Sequence, residues 1–301
     1  MVCSLLFLFA CRGAGCLPGS LQGDVDGQRF VRCSQADAPR ERSVRVGQLA
    51  LTIKDRTLRI EGAQSLRVVA FTGPVGSALE PADLSQIRAA QPSLVLYLGG
   101  LGDSLKTARQ NLASLAALRV PTLFVAGGAD RMPVLEAAFD ALAEGERDSV
   151  LNATGLREVR FGTERLVLVP GAPLGRYALD EQSCGLTRED FQLLAADAKQ
   201  APVATRSWLL SFQAPVGFGV SAGFGGSELG SPEVQTLAHA VGAEGGLFAY
   251  PEGQAGAARA AKLALVLPRL SRVGSLRSDG SRLAGQVALV FWSGEGLVAS
   301  P

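Results

Sequence analysis

Three acidic residues in the sequence could bind a metal ion. Asp103 and Asp130 each follow an apolar run that ends in glycines, and Glu252 follows another apolar run, 247–250. Such loops lie at the ends of strands, and carboxylate oxygens are the ligands that Mg²⁺ and Ca²⁺ prefer. A solvated loop acid or a helix cap is the alternative interpretation of each residue. The pattern therefore allows a divalent-metal site without requiring one.

Histidine chemistry has almost no candidates, because His239 is the only histidine among 301 residues. Imidazole is the commonest metal ligand and the usual general base near neutral pH. The segment around His239, 234–241, is mainly apolar, which favours a place in the core or on the surface of a helix. Hydrolysis by a serine such as Ser104 or Ser211 would need this histidine nearby, and the sequence gives no reason for that approach.

The charge balance argues against a nucleic-acid partner. The chain has 29 Lys and Arg residues against 28 Asp and Glu residues, so no net field attracts a polyanion. Aromatic residues make up 6% of the sequence, which leaves little stacking surface for sugars or bases. Hydrophobic residues make up 47%, enough for a large core. We therefore expect a globular protein that does not bind nucleic acid.

An apolar run at 4–10 is too short to cross a bilayer and is typical of the core of a signal peptide. It ends in the letters LFAC at 8–11, which resemble the cleavage box of bacterial lipoproteins, where the cysteine becomes the lipidated first residue. The phenylalanine is bulky for this box, and no Lys or Arg precedes the run. Cys16 is therefore an alternative anchor, and an ordinary buried helix is the alternative structure for the run. We predict a signal peptide over 1–11, export to the bacterial cell envelope and a membrane anchor at Cys11.

Export would place the other thiols in an oxidising compartment, where Cys33 and Cys184 could pair. The chain has five cysteines, an odd number, so the sequence leaves their connectivity open. Their spacings match no metal-binding pattern. Residues 12–42 begin with a stretch rich in Gly, Ser, Asp and Pro and are predicted as a flexible tether, which leaves 43–301 as the folded domain.

Strand and helix patterns alternate along 43–301. Strands with one wet face are predicted as a meander at 44–46, 49–53 and 57–60. Runs that are almost continuously apolar, as in strands buried on both faces, stand at 66–71, 94–98 and 121–126. Helical spacing occurs at 81–91, 104–118, 133–144, 187–199 and 232–241. Further strands are predicted at 157–161, 166–169, 207–212 and 246–250, with two or three closing strands within 262–292. This order is typical of a layered α/β domain.

Five of the predicted strands end in short loops of characteristic composition. They read FTGPVG at 71–76, YLGGLGD at 97–103, VAGGAD at 125–130, LLSFQAP at 209–215 and LFAYPEG at 247–253. In order and strand context these loops resemble those of the calcineurin-like metallophosphoesterases, over roughly 66–253. That family holds two metal ions with an Asp-x-His loop, a Gly-Asp loop, a Gly-Asn-His-Asp loop, a single His and a final Gly-His-x-His. The resemblance implies an α/β fold in which a layered β-sandwich is flanked by helices.

The same resemblance places small or apolar residues at the family's ligand positions, which here are Gly73, Val75, Gly100, Gly128, Ala129, Phe212, Pro251 and Gly253. Asp103 matches a frequent acid that is not a ligand, and Asp130 matches an acid that orients a histidine, here Ala129. Two cations must clamp the phosphate and generate the hydroxide, so the family's chemistry needs all of its ligands. The resemblance therefore implies a vestigial site. After losing its histidine, Asp130 is expected to accept backbone N–H bonds at a turn or to cap the helix that begins near Met132.

The sequence thus predicts a non-catalytic, metallophosphoesterase-like envelope lipoprotein without a cofactor. Its former active-site loops would be a structural relic or a binding surface, for a protein or small ligand that the sequence does not identify. The alternative is a divergent metal-dependent phosphoesterase with a rebuilt site, in which Asp103, Asp130 and Glu252 bind one Mg²⁺ or Ca²⁺. A different α/β fold is a further alternative, and fold alone does not give function.

Overall fold

The computed structural model describes residues 31–33, 40–73, 77–174, 178, 181–216, 220–221, 228–249, 264–267, 275–276, 282–283 and 287–299. The predicted signal peptide with Cys11, the alternative anchor Cys16, Val75 of the first loop and the loop residues Pro251, Glu252 and Gly253 lie outside the described residues.

The described residues form six helices and nineteen strands. The helices are α1 (Pro81–Ala89), α2 (Leu105–Ala116), α3 (Met132–Asp140), α4 (Glu144–Ser149), α5 (Arg188–Gln200) and α6 (Pro232–Ala240). The strands are β1 (Val31–Arg32), β2 (Arg42–Val46), β3 (Leu49–Lys54), β4 (Thr57–Glu61), β5 (Ser65–Phe71), β6 (Leu94–Leu98), β7 (Thr122–Val125), β8 (Val150–Asn152), β9 (Glu158–Phe161), β10 (Glu164–Val169), β11 (Ala172–Pro173), β12 (Cys184–Leu186), β13 (Arg206–Ser211), β14 (Ala243–Ala249), β15 (Ala264–Leu267), β16 (Ser275–Leu276), β17 (Arg282–Leu283), β18 (Ala288–Ser293) and β19 (Gly296–Ala299).

Two large sheets make up the centre of the fold. One has six strands in the order β19-β18-β5-β6-β7-β8, and the other has eight in the order β15-β14-β13-β10-β9-β4-β3-β2. Alternate side chains of both sheets meet in one buried cluster, for example Leu96 and Val125 from the six-stranded sheet with Leu168 and Leu210 from the eight-stranded sheet. The two sheets therefore pack face to face, and the predicted β-sandwich is confirmed.

Helices cover the outer faces of the sandwich. The parallel strands β5 to β8 are joined by crossovers that contain α1 to α4, and α5 and α6 stand in the connections to β13 and β14. Outward side chains of the strands, such as Val95, Phe124 and Leu209, share a buried cluster with helix residues such as Leu112 and Leu237. Apolar runs buried on both faces are what such a layered arrangement needs.

The meander β2–β3–β4 extends the eight-stranded sheet beyond these helices. Its inward residues, such as Leu51 and Ile60, belong to the sandwich core, whereas outward residues such as Arg59 are exposed. This is the solvent-exposed face that the alternating pattern predicts. None of the helices in the described part of the chain is long and apolar enough to span a bilayer.

Glu164 links the two sheets inside the sandwich. Its carboxylate is 1% exposed, and its Oε2 accepts hydrogen bonds from the indole N–H of Trp208 at 3.3 Å and of Trp292 at 3.0 Å. Trp208 belongs to β13 of the eight-stranded sheet and Trp292 to β18 of the six-stranded sheet. Arg206 places a guanidinium nitrogen 3.5 Å from the other oxygen, so the buried charge is compensated.

A disulfide bond joins Cys33 to Cys184, with their Cα atoms 5.4 Å apart. The pairing that the sequence leaves open is therefore present. Next to it, Val31–Arg32 forms β1 and pairs in parallel with Cys184–Gly185 of β12. Residues 31–33 lie within the segment 12–42 predicted as a tether, and here they are attached to the domain by a short sheet and a covalent bond.

Helix boundaries follow from capping residues. The hydroxyl of Ser104 accepts a hydrogen bond from the N–H of Thr107 and begins α2, and Thr187 with Asp190 forms a capping box at the start of α5. The helix predicted at 133–144 is α3, which ends at Asp140, and the separate short helix α4 follows from Glu144. The two- and three-residue strands β1, β8, β11 and β12 were not predicted, because so few residues carry no readable periodicity.

Candidate functional site

The loops after β5, β6 and β7 meet at one edge of the six-stranded sheet. The N–H of Gly73 donates to the carbonyl of Gly99 at 2.9 Å, and the N–H of Gly99 donates to the carbonyl of Val125 at 2.8 Å. Because parallel strands end at the same edge, the family resemblance places the metal site here. We call Gly73, Gly99, Gly100 and Gly127 the glycine edge.

The backbones of the glycine edge touch one another without room for side chains. A Cβ built on Gly73 would stand 2.1 Å from the carbonyl oxygen of Gly100, and one built on Gly100 would stand 2.8 Å from the carbonyl oxygen of Gly73. A Cβ on either Gly99 or Gly127 would lie 3.0 Å from the Cα of the other. Gly99 and Gly100 also have positive φ angles of 67° and 77°, which favour glycine. These four positions therefore require glycine.

Phe212 fills the space beside the glycine edge. It follows the last residue of β13 and is 8% exposed. A Cβ on Gly127 would approach two of its ring carbons to 2.4 Å, and a Cβ on Gly99 would approach its ring to 2.9 Å. Phe212 stands where the resemblance expects a metal-binding histidine, and its ring brings an apolar group to that place.

Asp130 holds the loops of the glycine edge together. The N–H of Gly100 donates to both of its carboxylate oxygens at 3.1 and 3.0 Å, the N–H of Leu101 donates to Oδ1 at 2.9 Å, and the N–H of Gly127 donates to Oδ2 at 2.7 Å. The side chain is 3% exposed. The expectation that Asp130 accepts N–H bonds at a turn is confirmed. The alternative of a helix cap is wrong, because Arg131 is the N-cap residue of α3 and no side chain caps that helix.

Burial acts on the ionisation of this carboxyl group. Removal from water raises the pKa of Asp130 from 3.8 to about 6, while the N–H groups of Gly127, Leu101 and Gly100 act in the opposite direction by stabilising the charged form. Burial also raises the pKa of the nearby Tyr97 phenol well above its ordinary value, with a smaller contribution from the charge of Asp130.

Tyr97 is a part of this edge that the sequence analysis missed. Its hydroxyl donates to the carbonyl of Gly100 at 2.7 Å, and its ring stacks on Phe71 with the ring centres 4.9 Å apart. A Cβ on Gly73 would also stand 2.1 Å from the Tyr97 hydroxyl oxygen. The only signal in the sequence is a tyrosine within an apolar run, which reads equally well as an ordinary core residue.

The remaining predicted site positions do not join this cluster as ligands. Asp103 and Ala129 are exposed, and Gly128 is buried between Gly127 and Ala129 without a side chain to offer. Of the three acids considered for a rebuilt metal site, the structure thus shows one exposed and one enclosed by N–H groups, and Glu252 lies outside the described residues. Among the described residues, no three or more His, Cys, Asp or Glu side chains are grouped for metal binding.

The two serines considered as nucleophiles occupy structural positions in the fold. Ser104 is the N-cap of α2, where its oxygen accepts the N–H of Thr107 at 3.2 Å. Ser211 is 1% exposed at the end of β13, and the N–H of Gln213 points to its oxygen at 3.4 Å. His239 is exposed in the last turn of α6, which agrees with the expected helix-surface position.

The residues at this edge do not fit a dimetal centre. Glycines that cannot accept a Cβ stand at two of the ligand positions, Gly73 and Gly100, and a phenyl ring stands at a third, Phe212. The one buried carboxylate, Asp130, already accepts N–H groups at both oxygens. The positive ends of these N–H dipoles also disfavour a cation on that side of the carboxylate. A transition metal would find no nitrogen or sulfur donor among these side chains.

Comparison with known proteins gives a likeness in fold only. No protein-family model and no curated protein matches this chain. Among solved structures, one crystal structure aligns with a TM-score of 0.56 and 12% identity, over 78% of this chain and 98% of the other. The crystal structure of TT1561 of Thermus thermophilus aligns with a TM-score of 0.51 and 14% identity, over 78% of this chain and 98% of that protein.

A third structure, a candidate 5′-nucleotidase from Staphylococcus aureus in complex with α-ketoglutarate, aligns with a TM-score of 0.46 and 13% identity, over 78% of this chain and 53% of that one. The first two alignments span nearly the whole of their partners, and at this identity they speak for the fold alone. Together with the layered sheets, they show that the chain has the metallophosphoesterase-like α/β fold, a β-sandwich flanked by helices.

Proposed function

We propose that this chain is a non-catalytic lipoprotein of the bacterial cell envelope, whose metallophosphoesterase-like domain has a structural or binding role. The observation that carries the proposal is the close contact within the glycine edge, where a Cβ on Gly73 would stand 2.1 Å from the carbonyl oxygen of Gly100. Ligand side chains cannot be restored there one at a time. The edge is packed around glycine backbone.

The repacking extends to the two side chains that face the glycine edge. Phe212 occupies the volume next to Gly99 and Gly127, and Asp130 accepts hydrogen bonds from the N–H groups of Gly100 and Gly127. Both side chains then contribute to stability, since one buries an aromatic ring and the other satisfies buried backbone donors. A phosphoesterase would instead use this space for two cations about 3.5–4 Å apart.

Export and lipid anchoring are supported by two independent features. The residues before Cys11 resemble a lipoprotein cleavage box, and the disulfide between Cys33 and Cys184 is of a kind that persists in oxidising compartments. In the proposed arrangement the lipid is attached at Cys11, 22 positions before the disulfide cysteine Cys33. The domain would then stay close to the membrane surface.

Metal analysis of the purified mature chain tests the loss of catalysis. We expect less than stoichiometric Mn, Fe or Zn, and no hydrolysis of bis(p-nitrophenyl) phosphate when Mn²⁺ is added. Two tightly bound metals per chain would overturn the proposal. So would Mn²⁺-dependent turnover that is abolished by Asp103→Ala or Asp130→Ala, which would establish a rebuilt metal-dependent phosphoesterase instead.

Labelled palmitate tests the anchor in a bacterial host that expresses the full-length chain. We expect incorporation into the wild-type chain and none into Cys11→Ser. A Cys11→Ser variant that remains fully labelled while Cys16→Ser loses its label would move the anchor to Cys16. Absence of label in the wild-type chain would contradict lipidation altogether, without affecting the metal result.

A further inference from the structure

A cleft with a cationic wall lies on the outer face of the eight-stranded sheet, away from the glycine edge. It lies between α5 and the strands β3, β4 and β9, and has a volume of about 730 Å³. This size is ordinary for the binding site of a small molecule. Its cationic side chains are Lys54, Arg56, Arg59, Arg157 and Arg160, and we call it the basic cleft.

The cations of the basic cleft outnumber its acids. Among the described lining residues there are five cationic side chains and three acidic ones, Asp55, Glu158 and Asp197. The Nε of Arg160 lies 2.5 Å from Glu158, and the Nε of Arg157 lies 2.8 Å from Asp197, so two of the acids are already paired. The balance leaves a positive wall in a protein whose total charge is close to neutral.

Lys54 and Arg59 are the cations available to a ligand. Both are exposed, and neither side chain forms a hydrogen bond or an ion pair with another described residue. Arg59 also lies directly opposite Arg160 across the β4–β9 pair, and Arg160 lies opposite Arg165 across the β9–β10 pair. The Glu158 carboxylate, 2.5 Å from the Arg160 Nε, offsets part of the repulsion between these like charges, and a bound anion near Arg59 would offset more of it.

The turn at the mouth of the cleft is held in an unusual conformation. Asp55 and Arg56 have φ angles of 49° and 59°, in the left-handed region that a two-residue hairpin of this type usually fills with Asn or Gly. The N–H of Arg157 donates to the carbonyl of Arg56 at 2.8 Å and fixes this turn against β9. Non-glycine residues in the left-handed region occur more often than elsewhere at ligand sites, and Arg56 is such a residue.

The cleft also has an apolar part, which lies beside Asp197 and Gln200. It consists of α5 and the turn that follows, with Leu193 and Leu194 on the helix and Pro202 after it. Leu193 is 48% exposed, although it faces a concave surface where an apolar group could cover it. A ligand that satisfies both walls needs an anionic group at one side and an apolar body at the other.

We propose that the basic cleft binds a small amphiphilic anion, a phosphate- or carboxylate-bearing molecule with an apolar body. Lys54 and Arg59 contact the anionic group, and Leu193 and Pro202 contact the apolar body. The proposal is independent of the loss of catalysis at the glycine edge, because the two places share no residue.

Calorimetric titration of the mature chain with 1-naphthyl phosphate tests this proposal. We expect saturable binding that is tighter than that of inorganic phosphate or of 1-naphthol alone. The double variant Lys54→Ala/Arg59→Ala should weaken the affinity roughly fivefold to tenfold, from the loss of two exposed charge contacts. Leu193→Asn should weaken the binding of 1-naphthyl phosphate and leave that of inorganic phosphate unchanged.

Arg45→Ala is the matched control. Arg45 is an exposed arginine on β2 of the same sheet and does not line the cleft, so its loss removes one positive charge from outside the cleft. Its affinity should stay within about twofold of the wild-type value. The proposal is wrong if 1-naphthyl phosphate does not saturate the protein, if Arg45→Ala weakens binding as much as the double variant, or if inorganic phosphate binds equally well.

Discussion

The ring of Phe212 lies against Gly127 so closely that a Cβ on the glycine would stand 2.4 Å from two of the ring carbons. Real Cβ atoms do not approach other atoms to this distance, so one of the two groups would have to move. The ring lies beside the backbone of Gly99 and Gly127, and the N–H of Gly99 is hydrogen-bonded to Val125. The contact therefore fixes both residue types at once.

Gly127→Ala should destabilise the protein by about 1–3 kcal/mol, because it overpacks a buried contact. The free energy of unfolding in urea is the measurement. Gly145→Ala is the control, since Gly145 lies in α4 with nothing within 4 Å of its Cβ position, and should be neutral or stabilising. A smaller side chain in Gly127→Ala/Phe212→Leu should recover part of the loss. Equal stability of the two glycine variants would contradict this packing.

Asp130→Ala should lower the free energy of unfolding by about 3 kcal/mol, because it leaves the buried N–H groups of Gly100, Leu101 and Gly127 without their acceptor. A helix-cap role, one of the two alternatives drawn from the sequence, would cost only about 1 kcal/mol. Asp103→Ala removes an exposed acid from the same loop region and should change stability by less than about 0.5 kcal/mol. A loss near 1 kcal/mol for Asp130→Ala would show that the three N–H groups find other acceptors.

The pH dependence of stability should carry a contribution from Asp130. Burial raises its pKa from 3.8 to about 6, so between these values the folded protein binds a proton that the unfolded chain has released. The contribution therefore stabilises the fold at low pH and is lost as pH rises through about 6. Its full size is on the order of 3 kcal/mol, at 1.36 kcal/mol per pKa unit.

Asp130→Asn isolates this contribution, because the amide does not titrate. The wild-type stability minus the variant stability, measured by urea unfolding at each pH, should fall as pH rises from 4 to 7. The other carboxylates cancel in this difference. A difference that rises with pH would mean that the three N–H donors outweigh burial and lower the pKa.

Reduction of the Cys33–Cys184 disulfide should destabilise the domain by about 2–4 kcal/mol, as is typical for a native disulfide. The bond also positions β12, where the N–H of Cys184 donates to the backbone carbonyl of Asp130 at 3.1 Å. Thermal unfolding with and without reductant is the measurement. Cys33→Ser/Cys184→Ser should match the reduced protein and no longer respond to reductant, whereas Cys16→Ser should respond like the wild type. A reductant effect that survives in the double variant would place the sensitive bond elsewhere.

Arg59→Thr should raise the stability of the ligand-free protein by about 0.2–1 kcal/mol, since it removes the repulsion across the pair with Arg160. Threonine also suits an exposed strand position. Arg45→Thr makes the same change opposite Ala50, where no like charge is present, and should give no comparable gain. A gain of equal size in both variants would mean that strand propensity, not relief of repulsion, is responsible.

The fold could be predicted from the sequence because its main strands are long and almost continuously apolar. Runs such as 94–98 are short and end in glycines, which favours strands buried on both faces over helices, and Ser104 and Thr187 mark helix starts by their capping chemistry. Short strands such as β11 and β12 carry no such pattern. They depend on tertiary contacts, in this case on the disulfide and on Gly171, where a Cβ would stand 2.4 Å from the carbonyl oxygen of Cys184.

The candidate site could be located from the sequence but not described. Glycines after apolar runs indicate which loops meet. They do not indicate that Phe212 fills the space beside these loops or that the Tyr97 hydroxyl donates to the carbonyl of Gly100. The basic cleft could not be found in the same way. Arg59 lies in β4, Arg157 just before β9 and Leu193 in α5, and their proximity can be predicted only when the sheet registers are known.

Glu164 gives the protein an intrinsic optical reporter. The chain has two tryptophans, and both indoles donate to the same carboxylate oxygen from opposite sheets. All tryptophan emission therefore originates at one seam between the layers. Separation of the sheets would release both fluorophores to water together, whereas loosening of the outer helices would leave their spectrum unchanged. The emission wavelength and the helical circular dichroism can be followed together during unfolding. Comparing them would distinguish separation of the two sheets from unfolding of the outer helices.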